Sequence, residues 1–192
     1  MKNYAVSVSV APLVEPVSLS EAKLHLRVDH DEDDALISSL IVAAREQAEA
    51  FTNRAFIEQT LVLTMDEFCD RIKLPKPPFI SVTSVVYLDG SGDSQTVSGA
   101  VYRIASRFEP ALLTLEPGQV WPSTYDVDDA VTITYKAGYG GAASAVPDSV
   151  KAAIKMIVES LYENRGDLSQ GVTISEIPMT SRALLSPFRV WL

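Results

Sequence analysis

From Val17 to Asn53 the apolar residues recur three and four positions apart, the period of helices that bury one face. Ser18 and Glu21 form a capping box, in which each side chain satisfies a backbone N–H at the start of a turn, and Leu19, Ala22, Leu24 and Leu26 follow as a short first helix. The acidic run from Asp29 to Asp34 comes next, and its carboxylates are expected to cap a second helix and complement the positive end of its dipole. That helix carries Leu36, Leu40, Ala44, Gln47, Ala48 and Phe51 on one stripe, widened by Ile37 and Ile41.

From Phe56 to Lys136 the period changes to two and turn residues multiply. Leu61, Leu63 and Met65 alternate with Val62 and Thr64; Val82, Val85 and Tyr87 lead to the turn pair Asp89-Gly90; Val131, Ile133 and Tyr135 alternate with Thr132 and Thr134. Tyr102 to Ala105 and Leu112 to Leu115 are two further strand candidates. Pro75-Lys76-Pro77-Pro78 and Pro117-Gly118 mark loops, since proline cannot continue a ladder. The spacings are too short for helical crossovers, so about five or six antiparallel strands are expected. Pro147-Asp148 then opens a third helix whose stripe runs from Val150 through Ile154, Ile157 and Leu161 to a stop at Gly166. The pattern predicts an α+β fold: a helical core of two N-terminal helices (17–54) and a returning long helix (147–166), an inserted antiparallel β region (55–136) and a C-terminal segment (167–192), in one cooperative unit over 1–192.

Composition narrows the function. The chain has 192 residues, 47% hydrophobic and 21% charged, which excludes a disordered chain. Sixteen Lys and Arg against 25 Asp and Glu leave a formal charge of −9, the wrong sign for grasping duplex DNA through its phosphates. The single Cys69 excludes an internal disulfide and any Cys-x-x-Cys centre, and two histidines make metal ligands scarce. The opening residues alternate Val with Ser and have no continuous apolar stretch, so no signal peptide is expected, and no apolar run reaches the length of a membrane span.

Each candidate motif meets a chemical objection. Asp29, Asp31 and Asp33 have the opening spacing of a calcium loop, but its sharp-turn glycine would fall on Asp34 and its bidentate glutamate on Leu40. His25 and His30 lie five apart across a helix boundary, poor geometry for a metal. Gly138 to Ala143 matches G-x-G-x-x-A, yet a dinucleotide loop must open directly into a helix that returns to a parallel strand, and here a longer loop precedes Pro147. A strand-to-helix hinge is the plainer reading. No G-x-S-x-G is present, Ser91 falls in a hairpin tip, and Cys69 reads as an inert, half-buried thiol. No catalytic, cofactor-binding or metal residue is therefore expected. The C-terminus stands out: Leu184, Leu185, Phe188, Val190, Trp191 and Leu192 are too apolar for a frayed end. They dock either on the chain's own core or on a partner.

The order of these segments resembles a known family. Val17-Ser18-Leu19-Ser20-Glu21-Ala22-Lys23-Leu24-His25-Leu26-Arg27-Val28, the acidic run, Leu36-Ile37-Ser38-Ser39-Leu40-Ile41, Ala43-Ala44-Arg45 and Phe51-Thr52-Asn53-Arg54 are followed by Tyr135-Lys136-Ala137-Gly138-Tyr139-Gly140. Val146-Pro147, Ala152-Ala153-Ile154, Leu161-Tyr162-Glu163-Asn164-Arg165 and Leu184-Leu185-Ser186-Pro187-Phe188-Arg189 complete the series. Together they resemble the head-tail connector (adaptor) proteins of tailed bacteriophages, the phage gp6-like or phiE125 gp8-like group.

The resemblance implies a non-enzymatic part of the virion neck, assembled in the bacterial host cytoplasm, without cofactor or membrane. It implies a ring, commonly dodecameric, bound beneath the portal protein, offering a platform to the next neck or tail protein while DNA passes through the lumen without specific binding. Gene transfer agents and defective prophages use similar adaptors. On this reading Leu184, Leu185, Phe188, Arg189, Trp191 and Leu192 form a partner-docking element, with Phe188 and Trp191 as anchors and the stretch from Gly166 to Gly171 as a hinge. Two alternatives stand beside it: another neck or tail-completion protein of the stopper type, and a small hydrolase or carbohydrate-active module on the β region using Trp121 and Tyr125.

Overall fold

The structure is a computed structural model that describes residues 4–164 and 179–191. The chain divides into two compact units, one made of the segment up to Leu13 with Glu58–Gly138, the other of Val14–Ile57 with Tyr139–Trp191. The fold is α+β, as the periodicities predict.

The helical unit starts with α1 (Leu19–Leu26), and its capping box is present: Ser18 Oγ accepts from the Glu21 N–H at 3.2 Å, while the Ser18 N–H donates to the Glu21 carboxylate at 2.8 Å. These bonds hold the Glu21 carboxyl below its ordinary pKa. Arg27, in the left-handed region, ends the helix. In α2 (Asp34–Thr52) the buried face is Ile37, Ile41, Ala44 and Ala48, with Leu36 and Leu40 on its flank; Asn53, also left-handed, closes it. The third helix, α3 (Asp148–Glu163), begins directly after Pro147 and turns Val150, Ala153, Ile154, Ile157 and Val158 onto the same core. Each large buried side chain there contributes about 1.5–3 kcal/mol. The ion pair Lys151–Asp148 on the same helix is screened by the solvent around the exposed Asp148, so packing decides the position of α3. The last helix is α4 (Met179–Leu185), where a helical turn was expected over Ser181–Leu185, and a 3-10 turn (Ser186–Phe188) follows it. The expected stop at Gly166 and hinge before Gly171 lie outside the described residues.

The acidic run does something other than cap. Asp33 occupies the N-cap position of α2, but its side chain makes no capping bond; the Tyr162 hydroxyl donates to its carboxylate instead. Lys23 takes Asp31 and Asp34, each at 2.6 Å. A cation and a phenol presented by α1 and α3 outcompete the local backbone for these carboxylates, while Asp33 and Asp34 still lie at the positive end of the α2 dipole. The acidic run therefore clips α1 and α3 to α2.

In the β unit, a five-stranded antiparallel sheet runs in the order β1 (Tyr4–Val10), β2 (Gln59–Met65), β8 (Val131–Ala137), β4 (Phe79–Leu88), β5 (Ser94–Thr96). A three-stranded sheet runs β3 (Arg71–Leu74), β7 (Ala111–Leu115), β6 (Tyr102–Ala105). Central strands β2 and β8 alternate strictly between buried and half-buried, and register sets Leu61 opposite Tyr135, Leu63 opposite Ile133 and Met65 opposite Val131 on the core face. Tyr135 is buried, its hydroxyl donates to the Pro75 carbonyl at 2.7 Å just beyond β3, and burial pushes its pKa up. The described residues hold eight strands, more than the about five or six expected from spacing. β1 is an edge strand exposed on both faces, so its Val/Ser alternation carried no burial signal, while β3 and β5 are too short for a period to register. The N-terminal strand also means that the β unit is not formed by the insertion alone.

The Lys23 clip has a pH signature. Its hydrogen bond holds the Asp31 carboxyl below the ordinary value, so the stability it contributes is present above the unfolded pKa and is lost as pH falls through the folded one. Lys23→Met should melt below the wild type at pH 7, and the gap should close in thermal melts carried down to about pH 2. A gap that does not change with pH would refute the assignment.

Candidate functional site

The segment singled out by its apolar density is held against the helical unit by identifiable groups. Leu185 is fully buried, Leu184 and Phe188 are half-buried against the same core cluster, and Val190 is buried. The Val190 N–H donates to the Thr52 carbonyl at 2.9 Å and the Asn53 side-chain amide donates back to the Val190 carbonyl at 2.9 Å. The Arg54 guanidinium donates to the Phe188 carbonyl. The left-handed turn that ends α2 thus supplies the anchorage: its reversal presents the Thr52 carbonyl, an amide and a guanidinium to the segment at 188–190.

Beneath this turn lies a buried charge network. Arg45 Nε donates to Glu15 at 2.8 Å, Arg45 Nη1 donates to Glu49 at 3.0 Å, and the other Glu49 oxygen accepts from the Phe56 N–H at 2.7 Å. The Arg45 and Glu49 side chains are each only 7% exposed. Burial disfavours the Arg45 charge, but the carboxylates of Glu49 and Glu15 outweigh it and raise the pKa of the guanidinium.

The expectation of a segment free to move independently of the core is corrected by this packing: Leu184, Leu185, Phe188 and Val190 belong to the subunit's own core. What remains at the surface is Trp191, 76% exposed, with the Arg189 guanidinium stacked 4.1 Å from its ring centre and 5.1 Å from that of Phe51. Arg182 covers Phe51 from α4 at 5.4 Å, and Arg189 Nε is buried without a hydrogen-bond partner among the described residues. These side chains make a cationic-aromatic knob. Leu192 lies outside the described residues. A separate groove of about 470 Å³ is lined by Val14, Val17, Leu19, Ile41 and Ala142 on the same unit. Sequence reasoning did not find it, because its walls come from a linker, two helices and a loop.

The other candidates fall to structural roles. Trp121 stacks on Phe68 at 4.5 Å, donates through its indole N–H to the Cys69 carbonyl at 3.1 Å and is half-buried, which leaves one of its faces unavailable to a sugar. Ser91 sits in the β4–β5 turn, its N–H bonded to the Asp89 carboxylate at 2.9 Å. His25 lies 3.1 Å from Glu159, and among the described residues no group of three or more His, Cys, Asp or Glu is placed to hold a metal ion. At Gly140, in the left-handed region, a Cβ would come within 3.1 Å of the Ala145 side chain, so glycine there serves close packing of the loop before α3. No helix among the described residues is long and apolar enough to cross a membrane.

Residues 16–87 match the phage gp6-like head-tail connector protein family. The matched stretch takes in α1, α2, β2, β3 and most of β4, with Lys23, Asp31, Asp34, Arg45 and Glu49 inside it and Glu15 and Tyr162 outside. No curated protein matches the sequence. Among solved structures, a chain from the neck of an empty GTA particle, computed with C6 symmetry, has a TM-score of 0.80 at 24% identity, covering 98% of this chain and 96% of that one. A chain from the virion of a native gene transfer agent (GTA) particle gives 0.80 at 24% identity, over 97% and 96%. One from the neck of a native GTA particle, computed with C12 symmetry, gives 0.73 at 24% identity, over 98% and 96%. The connector resemblance and the α+β fold are borne out, and the fold likeness runs through both units.

Two substitutions separate anchor from knob. Leu185→Ala should cost about 2–5 kcal/mol in urea denaturation, and deletion of residues 184–192 more, whereas Trp191→Ala should stay within about 0.5 kcal/mol. Arg45→Met should cost about 3–5 kcal/mol, because Glu49 and Glu15 lose the cation that compensates their burial. A neutral outcome for Leu185→Ala would mean that the tail is not anchored as described.

Proposed function

We propose that the chain is a head-tail adaptor of a phage or gene-transfer-agent neck: a structural, non-enzymatic subunit, acting as one connector domain over its whole length, that forms a ring beneath a portal protein and offers a platform to the next neck or tail protein. The observation that carries the reading is the connector-family match over residues 16–87, joined to a fold likeness along nearly the whole chain with neck chains of particles computed with C6 and C12 symmetry. A ring of identical copies needs heterologous contacts that close, so each subunit must keep attachment surfaces that its own core does not use. The charge of −9 suits a lumen through which DNA moves, since like charges repel and no phosphate clamp forms.

The partner-docking residues are read in the same light. Trp191 and Arg189 are the members of the C-terminal set with surface left to offer, and aromatic and arginine side chains dominate interface energetics. Leu184, Leu185 and Phe188 position them from below. We assign the portal as the partner of this knob.

Negative-stain microscopy of the purified protein with and without portal tests the reading. Rings seated on the portal are expected, commonly twelvefold, even if the free protein is monomeric. Trp191→Ala should reduce portal binding about tenfold or more while its melting temperature holds, the size of loss an interface anchor produces. Failure to form any ring on purified portal would overturn the assignment.

A further inference from the structure

The three-stranded sheet of the β unit has a face whose charge opposes that of the chain. Register sets Arg71 of β3 and Arg103 of β6 on either side of Thr114 in β7, and Lys73 beside Leu112, one residue pair further along. Side chains two apart in a strand share a face, so Arg71, Lys73 and Arg103 point the same way. All three are exposed, while Ile72 and Leu74, which alternate with Arg71 and Lys73 along β3, are buried. Arg71 and Arg103 line a hollow of about 590 Å³ with Leu112, Thr114 and Phe108, the last 55% exposed. One carboxylate, Asp70, lines it as well. None of the three cations has an ion pair or side-chain hydrogen bond among the described residues. A protein with nine more acids than bases has carboxylates to spare, yet among the described residues none is ion-paired with these cations, which flank Leu112 and Phe108.

The same unit carries a surface of opposite charge and matching apolar content. The loop from Tyr125 to Asp129 exposes Tyr125 (44%) and Val127 (40%) between Asp126, Asp128 and Asp129. It is fixed by backbone bonds: Tyr125 N–H to Leu88 O at 2.9 Å, Val127 N–H to Tyr125 O at 3.0 Å, and Asp129 N–H to the Asp66 carboxylate at 3.1 Å. Asp126 and Asp128 have no cation partner among the described residues. A loop held in this way loses little freedom on binding.

We propose that the basic face of the three-stranded sheet receives the Tyr125–Asp129 loop of a second copy of this chain, pairing Arg71, Lys73 and Arg103 with Asp126 and Asp128 and laying Tyr125 and Val127 against Phe108 and Leu112. The proposal rests on the ring reading above, in which each subunit offers its face to one neighbour and its loop to the other. Charge complementarity sets the register of such a contact and suppresses the reversed approach, in which like charges would meet. A nucleic acid is the rival occupant. Phosphates would leave Phe108 and Leu112 uncovered, whereas the loop brings an acid and an apolar group in alternation, as the face requires.

Charge reversal on full-length protein tests this, with rings on purified portal scored by negative-stain microscopy. Arg71→Glu with Arg103→Glu should lose rings, as should Asp126→Lys with Asp128→Lys, and the protein carrying all four changes should regain them. Because all four side chains are exposed, melting temperatures should match the wild type; should the reversals misfold, Arg71→Gln with Arg103→Gln is expected to raise the protein concentration needed for ring formation about tenfold or more. If both reversed proteins form rings like the wild type, the contact is wrong and the adaptor reading stands. If the wild type itself forms none, the adaptor reading fails first. Loss of duplex DNA retention at low salt in the Arg variants, with rings intact, would assign the face to nucleic acid and overturn the proposal.

Discussion

The buried pair of Arg45 and Glu49 governs how the helical unit ends and what it can hold. One Glu49 oxygen faces the guanidinium and the other accepts the Phe56 N–H, so a single carboxylate ties the last turns of α2 to the backbone that leaves it. An isolated charge at that depth would cost several kcal/mol, and the geometry is sustained because Glu15, from the linker before α1, shares the cation. With Phe56 fixed, the turn at Asn53 and Arg54 has no freedom to unwind. Those two side chains are the ones that grip the carbonyls of Val190 and Phe188. A charge compensation far from the surface therefore decides where residues 189–191 lie and, through them, where Trp191 is displayed.

Much of this was legible in local pattern. The capping box of α1 needs only residues three apart, and α2 and α3 announce their buried stripes because one face of each meets the core along its whole length. β2 and β8 were equally plain, since both are central strands with one face buried. β1 was not, because an edge strand with Tyr4, Val8 and Val10 exposed has an alternation that burial does not explain. The acidic run was misread for a related reason: helix capping is a local inference, and the groups that win Asp31, Asp33 and Asp34 come from Lys23 and Tyr162 on other helices.

The candidate surfaces were legible only in part. Apolar density marked the C-terminal segment but could not divide it, because whether Leu185 or Trp191 is buried depends on α4 wrapping toward α3 and on the acceptor and donors at the end of α2. The basic face had no signature at all. Arg71, Lys73 and Arg103 are scattered through two short strands, and only the pairing of both with β7 puts them on one side of a sheet. Strand register is a long-range property, and a shift by one residue would send every one of these cations to the opposite face.

Exposure of an apolar side chain is not by itself informative, and the distinction matters for which surfaces carry function. Leu24 is 81% exposed and Leu13 93%, yet single exposed leucines are ordinary in folded proteins, where over half of the accessible surface is apolar. Trp191 differs because it is exposed while locked: Arg189 stacks on it and its neighbour Val190 is bonded on both sides, so its position is set before any partner arrives. Phe108 differs because it borders cations that have no ion pair among the described residues. In both places an exposed apolar group sits beside an arginine, a combination that gains little for the isolated subunit. Desolvation by a complementary surface strengthens the cation–π and ion-pair terms together, which is why such pairs concentrate binding energy in small areas.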